Sequence, residues 1–115
     1  MEIKLKKEGE KVVVSTKGQL DTQTTQEFKK VLLELIDTGA RKIILDFSEL
    51  HFITTAGLSC ILVLLKRMEV EEGELSVAAL KGQVKKVLDI SGLCSCIPVF
   101  DTVVAAVAKT QAGIS

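Results

Sequence analysis

The 115-residue sequence contains no tryptophan, no tyrosine and only four phenylalanines. Proteins that hold single-stranded nucleic acid stack its bases on aromatic side chains, so this shortage argues against that class. There are 15 basic residues (Lys and Arg) and 15 acidic ones (Asp and Glu), giving a formal net charge of zero. Binding to nucleic acid or to an anionic membrane surface requires a basic face. The balanced charge predicts neither kind of partner.

Cysteine is scarce, with Cys60, Cys94 and Cys96 only. An odd number, with two cysteines separated by one residue, fits neither a disulfide framework nor a redox pair with two intervening residues. We expect small buried hydrophobic side chains in a reducing, cytoplasmic compartment. A zinc site needs about four clustered nitrogen or sulfur ligands, and the single histidine, His51, is far upstream of the two closely spaced cysteines. We therefore predict no metal.

Signals for catalysis are missing as well. Neither the G-x-x-x-x-G-K-[ST] loop nor the G-x-G-x-x-G turn occurs, so a nucleotide cofactor is not expected. General bases in catalytic pairs are most often histidines, and His51 stands alone between Leu50 and Phe52, where we expect a partly buried structural role. The sequence predicts a protein that is not an enzyme and has no cofactor.

No segment is suited to a membrane. The amino terminus lacks the apolar stretch of a signal peptide. The longest apolar run, around residues 56–65, is interrupted by Gly57 and Ser59 and ends at Lys66 and Arg67. A spanning helix needs about 20 apolar residues. We predict a soluble protein without membrane insertion.

Short apolar strands alternate with segments of helical periodicity. The strands are predicted at residues 2–7, 11–18, 42–47, 75–80 and 97–100, with Gly18 ending the second. The first two helices are predicted at residues 22–38 and 56–69. A third, short helix follows the strand at residues 75–80 and ends at Gly92, and a fourth begins after Asp101-Thr102. This order predicts one α/β sandwich over residues 1–115, with an N-terminal β-hairpin, a mixed and mostly parallel sheet, and about four helices.

Particular residues are predicted to form the core. In the strands we expect Leu45 and Val77 to be buried. In the helix at residues 56–69 the predicted apolar stripe consists of Leu58, Ile61, Leu62 and Leu65. The single proline, Pro98, places the last strand at an edge of the sheet.

The junction before the second long helix carries two threonines, Thr54 and Thr55. In one interpretation, one of them caps the helix by accepting a free backbone N–H. In the other, an accessible hydroxyl at the positive end of the helix is a phosphorylation site, because a phosphate there would meet free N–H donors. The residues alone leave both open.

Four motifs in order make the sequence resemble the STAS domain, and within it the bacterial anti-sigma-factor antagonists. They are GQLD at residues 18–21, DFS at 46–48 with Phe52 six positions after Asp46, TTAGL at 54–58, and LDISGL at 88–93. The resemblance extends over residues 18–100.

The resemblance implies a cytoplasmic protein that binds an anti-sigma factor which is also a serine/threonine kinase of the histidine-kinase-like ATPase fold. The unphosphorylated protein would sequester the kinase and free the sigma factor, regulating transcription, and phosphorylation would break the complex. The family acceptor, the first hydroxyl of an Asp-Ser-[Ser/Thr]-Gly-Leu-Gly run, falls on Thr55, with Thr54 and Ser59 as alternatives. The implied partner-binding residues are Asp21, Thr54, Thr55, Ala56, Gly57 and Leu58.

The acceptor loop departs from the family motif at three positions. Thr54 stands in place of the aspartate, Ala56 in place of the second hydroxyl residue, and Ser59 in place of the last glycine. Asp21 matches the family aspartate beside this loop, and helix capping explains it equally well. The alternative is a STAS scaffold or accessory subunit, stressosome-like or transporter-associated, without a phospho-switch. The oligomeric state stays open at this point.

Overall fold

The structure, a computed structural model, describes residues 1–112, with side chains through residue 109. Residues 113–115 of the predicted domain lie outside the described residues. The strands of the described chain are β1 (Glu2–Glu8), β2 (Lys11–Leu20), β3 (Lys42–Asp46), β4 (Leu50–Ile53), β5 (Glu74–Ala78) and β6 (Val99–Phe100). The α-helices are α1 (Thr25–Asp37), α2 (Thr55–Val70), α3 (Gly82–Ser91) and α4 (Val103–Ala112). None of these helices is long and apolar enough to cross a membrane.

The strands form one mixed sheet in the order β1-β2-β3-β5-β6, and β4 pairs with the distal end of β2. The β1–β2 hairpin is antiparallel. All other strand pairs in the described chain are parallel. The predicted fold class, including the hairpin, the internal strand at residues 42–47 and the four helices, is confirmed.

The hairpin turn fixes the register of β1. Glu8 is paired with Lys11, which leaves Gly9 and Glu10 as a two-residue turn. Gly9 has φ +66°, in the left-handed region that such turns require. From this turn the pairing continues without a break to Glu2 opposite Lys17.

The helices cover the two faces of the sheet unequally. Helices α1, α2 and α3 enclose the main core, whose largest fully buried side chains include Phe28, Phe47, Leu32, Ile36, Ile61 and Leu64. On the opposite face α4 alone packs against the sheet, through a small cluster of Val13, Ile44, Ala78 and Ala106. Leu45 and Val77 are fully buried, as predicted.

Strand β2 is longer than predicted. It does not end at Gly18 but continues to Leu20, because β4 pairs with its last residues. The register shifts between Gly18 and Gln19, and Gly18 has φ +111°.

Strand β4 was not predicted. It exposes both His51 and Phe52, so it lacks the alternation that identifies a half-buried strand, and the expectation of a partly buried His51 is wrong.

The predicted phase of α2 is wrong at Leu62, which is 39% exposed. The face that packs on the sheet consists of Gly57, Cys60, Ile61, Leu64, Leu65 and Met68. Almost every residue from Leu58 to Leu65 is apolar, so hydrophobicity alone does not define which side faces inward. Gly57 belongs to the buried side, and a pattern search for large apolar residues passes over it.

Other boundaries differ modestly from the prediction. Helix α1 begins at Thr25, because residues 21–24 form a separate turn. Strand β5 ends at Ala78, and β6 is reduced to Val99–Phe100 after Pro98. Two apolar side chains of the shorter helices, Ile90 on α3 and Val104 on α4, are 81% and 78% exposed.

Candidate functional site

Strands β2 and β4 bring the two predicted site segments together. They run in parallel with Leu20 opposite Ile53. Asp21 and Thr54, the residues that follow these two strands, therefore lie at the same end of the sheet. The backbone N–H of Thr54 donates to the carbonyl oxygen of Leu20 at 3.0 Å. The structure therefore places the Asp21 turn beside the start of α2.

Thr54, and not Thr55, caps helix α2. Its backbone is extended (φ −104°, ψ 176°), and its Oγ1 accepts from the N–H of Gly57 at 3.4 Å. Its carbonyl accepts the N–H of Leu58 at 3.0 Å, which is the first helical bond. Thr54 is half-buried. Of the two threonines that could cap the helix, the cap is therefore Thr54, and Thr55 lies one position inside the helix.

Thr55 is the first residue of α2, and its side chain is exposed. Within residues 1–112, the N–H groups of Thr55 and Ala56 have no acceptor. The first turn of α2 also carries no acidic residue. The free amides and the helix dipole favour an anionic group at this position.

Gly57 lets α2 approach the strand ends closely. A Cβ at this position would lie 2.8 Å from the carbonyl oxygen of Leu20 and 2.7 Å from Cγ1 of Ile53. Neither neighbour is free to move, since one is backbone and the other a fully packed side chain. Glycine is therefore required here for packing, and the side chain of a larger residue would lift the start of α2 off the sheet.

Asp21 organises the turn that leads into α1. Its Oδ1 accepts from the N–H groups of Gln23 at 2.9 Å and Thr24 at 3.0 Å, and its Oδ2 accepts from Nε2 of Gln19 at 2.6 Å. The Thr24 backbone N–H is the main cause that lowers the pKa of this carboxyl below its ordinary value of 3.8. Asp21 therefore holds the turn at residues 21–24, adjacent to Thr54, and the predicted side-chain cap of α1 is not formed, because the residue at the N-cap is Thr24.

Gln83, on α3, was not identified from the sequence. Its side-chain amide bonds to both backbone groups of Ile53: Oε1 accepts from the N–H at 3.0 Å and Nε2 donates to the carbonyl at 2.9 Å. This pairing satisfies the outer edge of β4 just before Thr54. No sequence signal marks such a contact, since it joins residues 30 positions apart.

The exposed side of α2 continues from Thr55 as a mixed polar and apolar surface. Ser59, Leu62 and Val63 are all exposed, the last two at 39% and 46%. We call Thr55, Ser59, Leu62 and Val63 the outer face of α2. Between this face and α1 lies a shallow groove of about 250 Å³, lined on the α1 side by Thr25 and Lys29. Of the other predicted partner-binding residues, Ala56 and Leu58 are half-buried and Gly57 is buried.

The cysteines are not arranged for chemistry. Burial raises the pKa of the Cys60 thiol, whose Sγ lies 3.8 Å from the carbonyl oxygen of Thr25. Burial, followed by a hydrogen bond to Asp89, raises the pKa of Cys94 to about 11. Both thiols stay protonated at neutral pH and are poor nucleophiles. Cys96 is exposed, contrary to the prediction of a buried residue. Within the described chain no three His, Cys, Asp or Glu side chains are grouped to hold a metal ion.

A mixed sheet with three helices on one face, and the ends of β2 and β4 joined at the start of α2, is the arrangement of a small STAS-type module. The chain belongs to the STAS family: the family model described as "STAS domain" matches residues 2–106.

Relatives and solved structures agree with this assignment. A Bordetella bronchiseptica protein named "Putative anti-sigma factor antagonist BtrV" is 30% identical over 103 residues, covering 90% of this chain and 89% of its own. A Thermotoga maritima crystal structure of the same description superposes with a TM-score of 0.90 at 24% identity, covering 95% and 94% of the two chains. The phosphorylated form of SpoIIAA, a Bacillus cell fate determinant, gives a TM-score of 0.76 at 23% identity, covering 95% and 99%. The two structural matches show that the fold is shared.

Proposed function

We propose that this protein is an anti-sigma factor antagonist that binds an anti-sigma factor with serine/threonine kinase activity and is released when Thr55 is phosphorylated. The observation that carries the proposal is the position of Thr55: an exposed hydroxyl on the first residue of a helix whose first amides are free. The names of the relatives support the class of partner, since BtrV is described as an antagonist of an anti-sigma factor.

Phosphorylation of Thr55 would alter the surface and leave the fold in place. The modification adds close to two negative charges at neutral pH. The helix N-terminus stabilises such a group by a few tenths to about 2 kcal/mol. The contacts that hold the loop are made by other residues, namely Thr54 to Leu20 and Gly57 against both strands. A kinase seated on the outer face of α2 would then meet a new charge and additional bulk on an otherwise rigid surface.

The departures from the family motif fit this geometry. Asp and Thr both accept N–H groups at an N-cap, so Thr54 supplies the capping oxygen that the family aspartate would supply. Ser59 lies one turn beyond Thr55, on the outer face, where an added hydroxyl needs no space in the core. Ala56 is half-buried beside the groove and requires no polar partner.

The outer face also offers the partner an apolar contact. Leu62 and Val63 are exposed side by side about two turns after Thr55. Because they belong to a helix, little conformational entropy is lost when they are covered. We place the kinase over Asp21, the loop at residues 52–55 and this part of α2.

The proposal is tested by titrating purified kinases of the anti-sigma type from the source organism with this protein in a calorimeter. Thr55→Glu is expected to weaken the complex by at least tenfold, and Thr55→Ala to retain it. Ser95→Glu, which adds the same charge at an exposed site on the 3-10 turn Leu93–Ser95, is the matched control and should bind as the unmodified protein does. Equal affinities for Thr55→Glu and Ser95→Glu would contradict the proposal and favour a scaffold or accessory role without a phospho-switch.

A further inference from the structure

Strand β1 leaves one edge of the sheet open. In the described chain it is the terminal strand and pairs with β2 only. It is seven residues long, with the sequence EIKLKKE, and its pairing with β2 is regular, without a bulge or a proline. Bulges, prolines and very short length are the usual devices that prevent an edge strand from pairing with another chain. Here only the lysines remain for that role.

The hairpin register decides which backbone groups face outward. Glu8 and Lys11 close a two-residue turn and therefore form a hydrogen-bonded pair. Because such pairs alternate along an antiparallel ladder, Glu2, Lys4, Lys6 and Glu8 bond to β2. Ile3, Leu5 and Lys7 consequently present their N–H and C=O groups at the open edge.

An apolar groove adjoins this edge. Leu5 is 52% exposed although it lies on the sheet face covered by α1. Beside it is a groove of about 310 Å³, whose other apolar walls are Val31 and Leu35 of α1. Ile3, on the same face, is half-buried against the core. A strand added at this edge would extend the apolar surface as well as the hydrogen-bonded ladder.

The charges of β1 are complementary to β1 itself in the antiparallel register that has Lys4 on the two-fold axis. When Lys4 lies on the two-fold axis, Glu2 is opposite the partner's Lys6 and Ile3 is opposite the partner's Leu5. Each of these pairs occurs twice, and the outward backbone groups of Ile3 and Leu5 meet as a hydrogen-bonded pair. The only like-charge contact is Lys4 against the partner's Lys4.

The neighbouring registers are less favourable. With Ile3 on the axis, Glu2 faces the partner's Lys4 and no like charges oppose one another, but the paired segment shortens from residues 1–7 to residues 1–5, so fewer intermolecular hydrogen bonds form. With Leu5 on the axis, Glu2 faces the partner's Glu8 and Lys4 faces the partner's Lys6, so like charges oppose one another four times. With Lys6 on the axis, Leu5 faces a lysine instead of an apolar residue. A register in which each residue is paired with the next residue along the partner strand fails, because the outward N–H and C=O groups of the two strands then no longer lie opposite one another.

We propose that a second copy of this chain pairs with it through β1, antiparallel, with Lys4 on the two-fold axis. The two sheets then form one continuous sheet, and the two α1 helices lie on the same side of it. None of the paired residues belongs to the outer face of α2, so this association is independent of the proposed function. A short strand pair with one lysine contact on its axis predicts a reversible, concentration-dependent dimer.

Sedimentation velocity combined with charge exchange tests the surface. The weight-average mass should rise toward twice the monomer mass between micromolar and millimolar concentration. Lys6→Glu should weaken self-association about tenfold, since Glu2 would then face a glutamate. The double variant Glu2→Lys, Lys6→Glu restores opposite charges across the axis and should recover the association. A monomer at every concentration, or no recovery in the double variant, would overturn the proposal.

Cross-linking tests the register directly. In a background with Cys94→Ser and Cys96→Ser, Lys4→Cys places two thiols opposite each other, with Cβ atoms about 5 Å apart. Mild oxidation should produce a disulfide dimer of this variant. Lys6→Cys is the matched control and should remain largely monomeric, because its thiols are separated by four residues of register. Preferential cross-linking of Lys6→Cys, or none for Lys4→Cys, would refute the register and with it the proposed dimer.

Discussion

The backbone N–H of Thr54 lies 3.0 Å from the carbonyl oxygen of Leu20, and this bond joins the start of α2 to the end of β2. It connects two segments 34 residues apart in sequence and sets Asp21 beside the helix N-terminus. Thr55, the next residue, is held by its neighbours yet exposes its own side chain. A switch that changes only the surface requires an exposed, modifiable hydroxyl on a backbone that is held in place by its neighbours.

Alanine substitutions of Thr54 and Thr55 should lower the free energy of unfolding by different amounts. Thr54→Ala removes the cap oxygen, and because the bond to Gly57 is long at 3.4 Å, the loss should be near the low end of the usual range of about 0.5–2 kcal/mol. Thr55→Ala removes no hydrogen bond of the described chain and should change the unfolding free energy by less than about 0.5 kcal/mol. Urea titrations of both variants measure these changes in unfolding free energy. A larger loss for Thr55→Ala than for Thr54→Ala would indicate that Thr55 caps the helix.

Leu62 and Leu64, two residues apart on α2, should respond differently to truncation. Leu64 is fully buried, so Leu64→Ala should cost about 2–5 kcal/mol. Leu62→Ala should cost less than about 1 kcal/mol, since that side chain is already partly in water. Denaturant titration gives both values. Comparable losses would mean that α2 is rotated about its axis relative to the structure.

Gly57→Ala should destabilise the protein although alanine favours helices. The added Cβ would lie 2.8 Å from the Leu20 carbonyl oxygen, and relieving that contact should cost about 1–3 kcal/mol. Ser59→Ala, at an exposed position of the same helix, provides the control and should be neutral or slightly stabilising. Thermal and urea unfolding of the two variants decide the point, and a stabilised Gly57→Ala would show that the start of α2 is not packed this tightly.

The pH dependence of stability should contain a contribution from Asp21. Its pKa is lower in the folded protein than the ordinary 3.8, chiefly through the Thr24 N–H, so its stabilisation is present above that value and is lost as the pH falls through the folded pKa. Asp21→Asn keeps an oxygen for the two N–H groups but does not titrate. The stability advantage of the unmodified protein over Asp21→Asn should be constant above about pH 5 and shrink below about pH 4. A difference that does not vary over this range would contradict the role of the carboxylate.

Much of the fold follows from the sequence because its signals are local. The hairpin, the internal strand β3 and the end of α3 at Gly92 are marked by turn residues and by apolar runs of typical length. The phase of α2 does not follow, because residues 58–65 are apolar on nearly every side and the deciding residue, Gly57, has no side chain. Strand β4 was missed since His51 and Phe52 are both exposed.

The candidate site was proposed from the sequence, but the arrangement of its residues was not. Thr54, Thr55 and Asp21 were identified as a group from capping chemistry and from the resemblance to the STAS family. Their arrangement depends on contacts between distant segments, such as Leu20 with Thr54 and Gln83 with Ile53. Periodicity and capping rules describe neighbours along the chain, so they contain no information about these pairs.

The central claim is tested most directly by mapping the phosphate after incubating the protein with ATP and the kinase that it binds. Mass spectrometry of the digested product should find a single phosphate on Thr55, and the product should no longer bind the kinase. Thr55→Ala should remain unphosphorylated and bound. Phosphate on Thr54 or Ser59, or no phosphate from a kinase that is active on itself or on another substrate, would contradict the account.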